Sequence, residues 1–412
     1  MLVIKNGRIL TAAAPGSAVP RVIESGFVLI EGTKIKVVAA VAAPALLEAA
    51  IPAGAEVIDA TGLYVTPGIV DPHSHIGIVE DGVGWEGSDG NEATEPVTAE
   101  CRALDAINPA DEAFAEVRRH GVTTVNIAPG SANVIGGTSL AVKCYGTVVD
   151  EMVIKDPTGM KAAMGENPKR VYGNQHKRPA TRMGTAAVMR GALTAARDYW
   201  RKRELAKDKP DKAPDINLKH EALLPVLRGE IPLRVHAHRA DDIVTAIRIA
   251  DEFGLTITLE HCTEGDQVAD LIAAKGIMVA VGPSMYQRGK QEVKDLSLST
   301  PVALARAGVH VALTCDHPVV PVKYLRFIAG LCVREGMPEA TALAAMTRHG
   351  AEHAGLGDRL GSIEPGKDAD IVLWDGDPFE WLTAAVCTII DGQVLYRRGG
   401  DRGRASEEGG RR

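Results

Sequence analysis

Four short apolar runs in this chain each end in histidine or aspartate. Residues 63–70 lead into Asp71-Pro72-His73-Ser74-His75, residues 231–235 into His236-Ala237-His238, residues 255–259 into Glu260-His261, and residues 309–314 into Cys315-Asp316-His317. The runs are rich in β-formers and read as strands. In a parallel barrel the C-terminal ends of all strands meet at one face, so residues far apart in sequence would converge there. Imidazoles and carboxylates gathered at one point suit a divalent transition metal, zinc above all. His73 and His75 stand two apart on a strand and therefore point to the same side.

The elements that must position these residues follow the same reading. Helix 111–119 leads to strand 122–127, helix 241–253 to strand 255–259, helix 266–274 to strand 277–281, and helix 300–307 to strand 309–314. Such alternation predicts a parallel sheet. His236 and His261 lie 25 residues apart, about one β/α unit of an eight-unit barrel of ~250 residues. The expected class is α/β, a (β/α)8 TIM-like barrel over residues 67–358. An open doubly wound sheet is the weaker alternative. It would want a glycine-rich phosphate loop after its first strand, and Gly136-Gly137 is a lone pair. Short strands at 2–4, 8–10, 27–31, 34–39 and 56–59 return in kind at 369–374, 385–390 and 393–397. Asp391-Gly392 between the last two signals a hairpin. The two ends, residues 1–66 and 359–400, are expected to pair into one small β-sandwich subdomain, followed by a disordered tail at 401–412.

Bulk properties narrow the function. The net charge of −7 and a pI near 6.0 argue against nucleic acid as the main partner. No stretch has the apolar length to span a bilayer, and residues 1–7 do not read as a signal peptide. The six cysteines, at 101, 144, 262, 315, 332 and 387, form no CxxC and read as reduced thiols of a cytosolic protein. The expectation is a cytoplasmic homo-oligomeric enzyme with a small-molecule substrate and neither membrane nor nucleic-acid partner.

His73-x-His75 after Pro67-Gly68-Ile69-Val70-Asp71, behind a β-rich N-terminal piece, resembles the amidohydrolase superfamily of metal-dependent hydrolases. Residues 361–372, Gly-Ser-Ile-Glu-Pro-Gly-Lys-Asp-Ala-Asp-Ile-Val, resemble the return of such chains into their sandwich. The resemblance spans essentially the whole chain. It looks closest to the imidazolonepropionase-like and prolidase-like group, and particularly resembles a subgroup of metallo-dependent hydrolases with Gly165-Glu166-Asn167-Pro168-Lys169-Arg170 and His236-Ala237-His238-Arg239-Ala240-Asp241-Asp242.

The resemblance implies Zn2+, as one or two ions, with Mn2+, Fe2+ and Co2+ as substitutes. It implies ligands at His73, His75, His236 and His261, the last serving a second metal or orienting the first. It makes Asp316 both a ligand and the general base and acid, taking the proton of a metal-activated water and passing it to the leaving group. A two-metal site needs a bridging anion. Glu166, at the end of a strand 4, is the favoured bridge, with a carboxylated Lys143, ending a strand 3, as the alternative. His238 and Arg239 are expected at the substrate. His120, His220, His310, His317, His349 and His353 read as structural or supporting.

Residues 76–101 hold seven acids and no Lys or Arg, and residues 167–197 hold seven bases and no acid. Both follow strand ends. They either pair with other protein charges or face a charged substrate, in which case Arg170, Arg178 or Arg182 would grip a carboxylate. The expected reaction is hydrolysis of an amide, cyclic amide or peptide-like C–N bond. Deamination of a nitrogen heterocycle is the rival, weakened because relatives with that activity carry His-x-x-Glu where this chain has Arg239. A non-catalytic scaffold is the other rival, and no expected ligand is missing.

Overall fold

Alternation along single strands sets the architecture. In β10 (Leu233–Ala237), Leu233, Val235 and Ala237 face outward, joining Ile243, Ala246 and Ile247 of helix Ala240–Phe253 in one apolar cluster. Arg234 and His236, on the opposite parity, are left to the barrel interior. In β9 (Val153–Ala163) Met160 and Ala162 join the same apolar cluster, which gives Lys161 the inward parity. The computed structural model describes residues 1–40 and 51–399; the expected tail at 401–412 lies outside them.

The barrel sheet contains β6 (Ile69–Ser74), β7 (Val122–Ile127), β8 (Ile135–Lys143), β9, β10, β11 (Ile257–His261), β12 (Val279–Val281) and β13 (Val311–Leu313), hydrogen-bonded in that order. The seam between β13 and β6 is closed by Thr314, whose Oγ1 lies 2.7 Å from both Asp71 Oδ1 and the His73 carbonyl, and by the His75 N–H donating to the His317 carbonyl at 3.0 Å. The sheet departs from the expected uniform direction at one strand. β8 pairs antiparallel with both β7 and β9, so its C-terminal end lies at the barrel floor while the others end at the mouth. No helix separates β7 from β8 among the described residues; such a short connection suits an antiparallel neighbour.

Both chain ends build the second sheet, in which β14 (Ile371–Trp374) pairs with β5 (Tyr64–Pro67) and β15 (Ala385–Ile390) with β16 (Gln393–Arg397). Asp391 and Gly392, at φ 49° and 74°, form the expected hairpin turn, in which both central residues need positive φ. Two sequence readings change here. Residues 2–4 and 8–10 form one strand, β1 (Leu2–Leu10), with a register irregularity around Gly7 in place of a turn. The apolar run 63–70 is two strands split at Gly68, where a Cβ would come within 2.1 Å of the Thr123 side chain. No helix among the described residues is long and apolar enough to cross a membrane.

Candidate active site

The mouth of the barrel gathers the imidazoles. His73 and His75 at the end of β6 and Asp316 after β13 offer three ligand atoms within 4.8 Å of one another, and His236, His238 and His261 offer another three. The groups adjoin: the His73 and His261 rings are 5.0 Å apart, and His236 and His261 are 4.4 Å apart. His261 and Asp316 hold φ at 79° and 54°, a conformation rare for side-chain-bearing residues and concentrated at functional sites.

Hydrogen bonds orient the rings. His75 Nδ1 lies 2.7 Å from the Ala128 carbonyl and His261 Nδ1 lies 2.8 Å from the Gly282 carbonyl. A carbonyl only accepts, so each Nδ1 carries the proton and each Nε2 presents a lone pair. His75 Nε2 lies 3.2 Å from Asp316 Oδ1, and His73 Nε2 lies 3.4 Å from it. Burial keeps His75, His238 and His261 below the ordinary imidazole range and His236 down at about 4. Neutral imidazoles with aimed lone pairs are the donors a divalent metal takes, so the residues present fit such an ion. His73 differs: burial and Lys161 lower its pKa, but Glu260 and Asp316 outweigh them and the net shift is upward.

The expected bridging positions need correction. Lys143 sits at the floor because β8 runs backwards; its Nζ is 2.8 Å from Asp370, 3.1 Å from Asp391 and 3.3 Å from Asp368. Glu166 opens the helix Glu166–Asn174, and its carboxylate accepts the Glu292 N–H at 3.1 Å, outside both imidazole groups. The strand-4 residue at the cluster is Lys161, fully buried, with Nζ 3.1 Å from His73 Nε2. Burial pushes its ammonium down to about 8 against the pull of Glu260 and Asp316. A lysine between two outward apolar neighbours, Met160 and Ala162, was the sequence signal for it.

Glu292 is another residue the sequence reading missed. It is 1% exposed, and its Oε1 lies 3.4 Å from His236 Nε2, 3.8 Å from His238 Nε2 and 2.6 Å from Lys290 Nζ. Burial raises its pKa, but His236, His238 and Lys290 outweigh this and hold it well below the carboxylate range. Nothing in Gln291-Glu292-Val293 marks it out from a surface acid.

None of the four expected carboxylate-binding arginines joins the cluster. Arg182 pairs with Asp242 at 3.0 Å and Arg239 with Asp241 at 2.9 Å, each tied to a neighbouring acid of helix Ala240–Phe253. Arg170 and Arg178 are exposed. Of the seven bases of this segment, Arg182 and Arg190 pair with protein carboxylates, the latter with Glu252. Lys290, three-quarters buried, is the cation beside His236, with Nζ also 3.3 Å from Asn167 Oδ1.

Comparison with known proteins agrees with this geometry. The family model described as the Amidohydrolase family matches residues 88–396. A solved amidohydrolase from Thermotoga maritima MSB8 superposes with a TM-score of 0.90 at 44% identity, covering 97% of this chain and 100% of that one. The amidohydrolase tasK of Hapsidospora irregularis is 32% identical over 84% of this chain, which spans only 38% of that relative's length. An imidazolonepropionase of Geobacillus sp. (strain WCH70) is 28% identical over 91% of each chain. With both its barrel and most of its length matched, this chain belongs to the amidohydrolase family.

Proposed function

We propose that this amidohydrolase hydrolyses a C–N bond, amide or cyclic amide, in a small substrate bearing a carboxylate. The observation that carries the reading is the pair of adjoining imidazole groups with Lys161 and Asp316 beside them at one barrel mouth. His73, His75 and Asp316 would hold one divalent ion and His236 and His261 a second. The ions, when bound, supply Lewis acidity and a water acidic enough to ionise near neutral pH.

The chain's own groups do the rest. Asp316 accepts the proton of the attacking water and returns it to the leaving nitrogen. Lys161 takes the bridging role expected of Glu166 or Lys143. Its neutral amine adds carbon dioxide at nitrogen and releases one proton, giving a carbamate anion between the two groups of ligands. His238, 2.7 Å from Thr263 Oγ1 through Nδ1, faces the substrate, and Lys290 receives the carboxylate.

Chelator-treated protein should lose hydrolysis of N-acyl amino acids, dipeptides or cyclic amides, and zinc, manganese or cobalt should restore it. Protein equilibrated with 13C-labelled bicarbonate should show a carbamate carbon that is absent in Lys161→Met. Full activity without metal removes the metal reading; a carbamate signal retained in Lys161→Met removes the bridge.

A further inference from the structure

Barrel interiors are filled by layers of bulky apolar side chains, yet beneath His73 this one holds a chain of charges. Glu260 and Arg234 are both 0% exposed and sit on the neighbouring strands β11 and β10. Glu260 Oε1 lies 3.3 Å from Arg234 Nε and accepts from Thr258 Oγ1 at 3.1 Å. Arg234 is itself fixed, its Nη2 donating to the Pro72 carbonyl at 2.7 Å and lying 2.7 Å from His353 Nδ1, while its Nη1 donates to the His353 carbonyl at 3.1 Å. The other oxygen of Glu260 is turned to the site. Oε2 lies 3.2 Å from His73 Nδ1, and among the described residues neither atom is hydrogen-bonded to any other group.

His73 Nδ1 and His236 Nδ1 both meet no carbonyl, and that of His73 faces a buried carboxylate. His75 and His261 have Ala128 and Gly282 for that purpose. Resting on the reading of His73 as a metal ligand, we propose that Glu260 is its positioning residue. The carboxylate accepts the Nδ1 proton and fixes the ring so that Nε2 presents its lone pair between Lys161 and Asp316. Arg234 and His353 hold that carboxylate in place from below, so the line from floor to mouth is His353, Arg234, Glu260, His73. A ring free to adopt the other tautomer would point an N–H at the ion. Partners that orient a ligating histidine typically change metal affinity 10- to 100-fold when removed.

The first test needs no variant. In metal-free protein labelled with 15N-histidine, long-range 1H–15N spectra should show His73, assigned by its loss in His73→Gln, protonated at Nδ1; a ring protonated at Nε2 alone overturns the proposal. The second is zinc affinity by chelator competition. Glu260→Gln should bind zinc about 10- to 100-fold more weakly, with a shifted cobalt absorption band. If Glu260→Gln does not fold, the double variant Arg234→Met with Glu260→Met removes the acceptor without stranding a charge, and the same loss is expected. Wild-type zinc affinity in either folded variant overturns the proposal. A wild-type protein that holds no zinc would overturn the proposed function instead, while the tautomer of His73 would still decide the role of Glu260.

Discussion

Two lysines lie buried in this barrel, at opposite ends and in opposite company. Lys143, at the floor, has Asp368, Asp370 and Asp391 within 3.3 Å, and although burial lowers its pKa these carboxylates raise it further. Lys161, at the mouth, lies 3.1 Å from His73 Nε2 and is pushed down to about 8 by burial, which outweighs the more distant Glu260 and Asp316. The histidines repeat the contrast. Near the floor His310, His349 and Glu352 also come within 4.8 Å of one another. There Arg348 reaches Glu352 at 3.0 Å and His349 Nε2 at 3.2 Å, so protein donors already take those lone pairs. At the mouth acceptors meet acceptors: His75 Nε2 faces Asp316 Oδ1 at 3.2 Å and His236 Nε2 faces Glu292 Oε1 at 3.4 Å, with Lys161 the donor near His73 Nε2. Burial and residue type are shared by the two ends. What marks a site is the set of acceptors that the protein leaves for something else.

The comparison breaks first at Asp316. Asp316→Asn keeps the shape and removes the proton acceptor, so kcat should fall by ~10² or more with metal content retained. A loss confined to KM would make Asp316 a binding residue only. The lysines give the next contrast. Lys143→Met strands three carboxylates, and removing one partner of a buried pair costs about 3–5 kcal/mol, visible in denaturant unfolding; the folded fraction should keep its kcat. Lys161→Met should do the reverse, removing activity while leaving the metal-free protein at least as stable as wild type. Equal stability losses in the two variants would end the distinction between floor and mouth.

A pH series sharpens the floor side. Burial first, and then His310, hold His349 down at about 4. A base whose pKa is depressed on folding takes up more protons unfolded than folded between its two pKa values. Stability is therefore full above about 6.5 and falls as pH drops from there toward 4, by at most roughly 3 kcal/mol for a shift of this size. His349→Gln should flatten that part of the pH–stability curve. An unchanged slope assigns the acid sensitivity to other groups.

The class of fold and the meeting of His73, His75, His236, His261 and Asp316 were legible because strand ends and sequence parity are local properties. The direction of β8 was not. Residues 135–143 look like any strand, and the absence of a helix between β7 and β8 was the one cue that they pair antiparallel. That single reversal moved Lys143 from the mouth to the floor. Lys161 was legible by parity, since Met160 and Ala162 face outward. Glu292 was not, because a loop of irregular backbone after β12 carries it to His236, and no period in the sequence encodes that path.

The smallest expected effect separates two kinds of cation at the mouth itself. Arg182, through Nε, and Arg239, through Nε and Nη2, already bond Asp242 and Asp241, and Arg170 and Arg178 are exposed. A substrate carboxylate would have to displace a protein carboxylate from the first two or bind the second two in open solvent, where an ion pair is worth about 0–1 kcal/mol. Lys290 also holds a protein carboxylate, Glu292 at 2.6 Å, but its three N–H donors leave one over after Glu292 and Asn167, and because it is three-quarters buried a charge placed there is poorly screened. Lys290→Met should therefore raise KM for a carboxylate-bearing substrate about tenfold, or 1.4 kcal/mol, and leave a neutral analogue unaffected. Alanine at Arg170, Arg178, Arg182 or Arg239 should change KM by less than about threefold, the scale of an exposed pair. Should one of these arginine variants lose tenfold in KM while Lys290→Met does not, the carboxylate is read from the segments after β9 and β10 and not from the loop after β12.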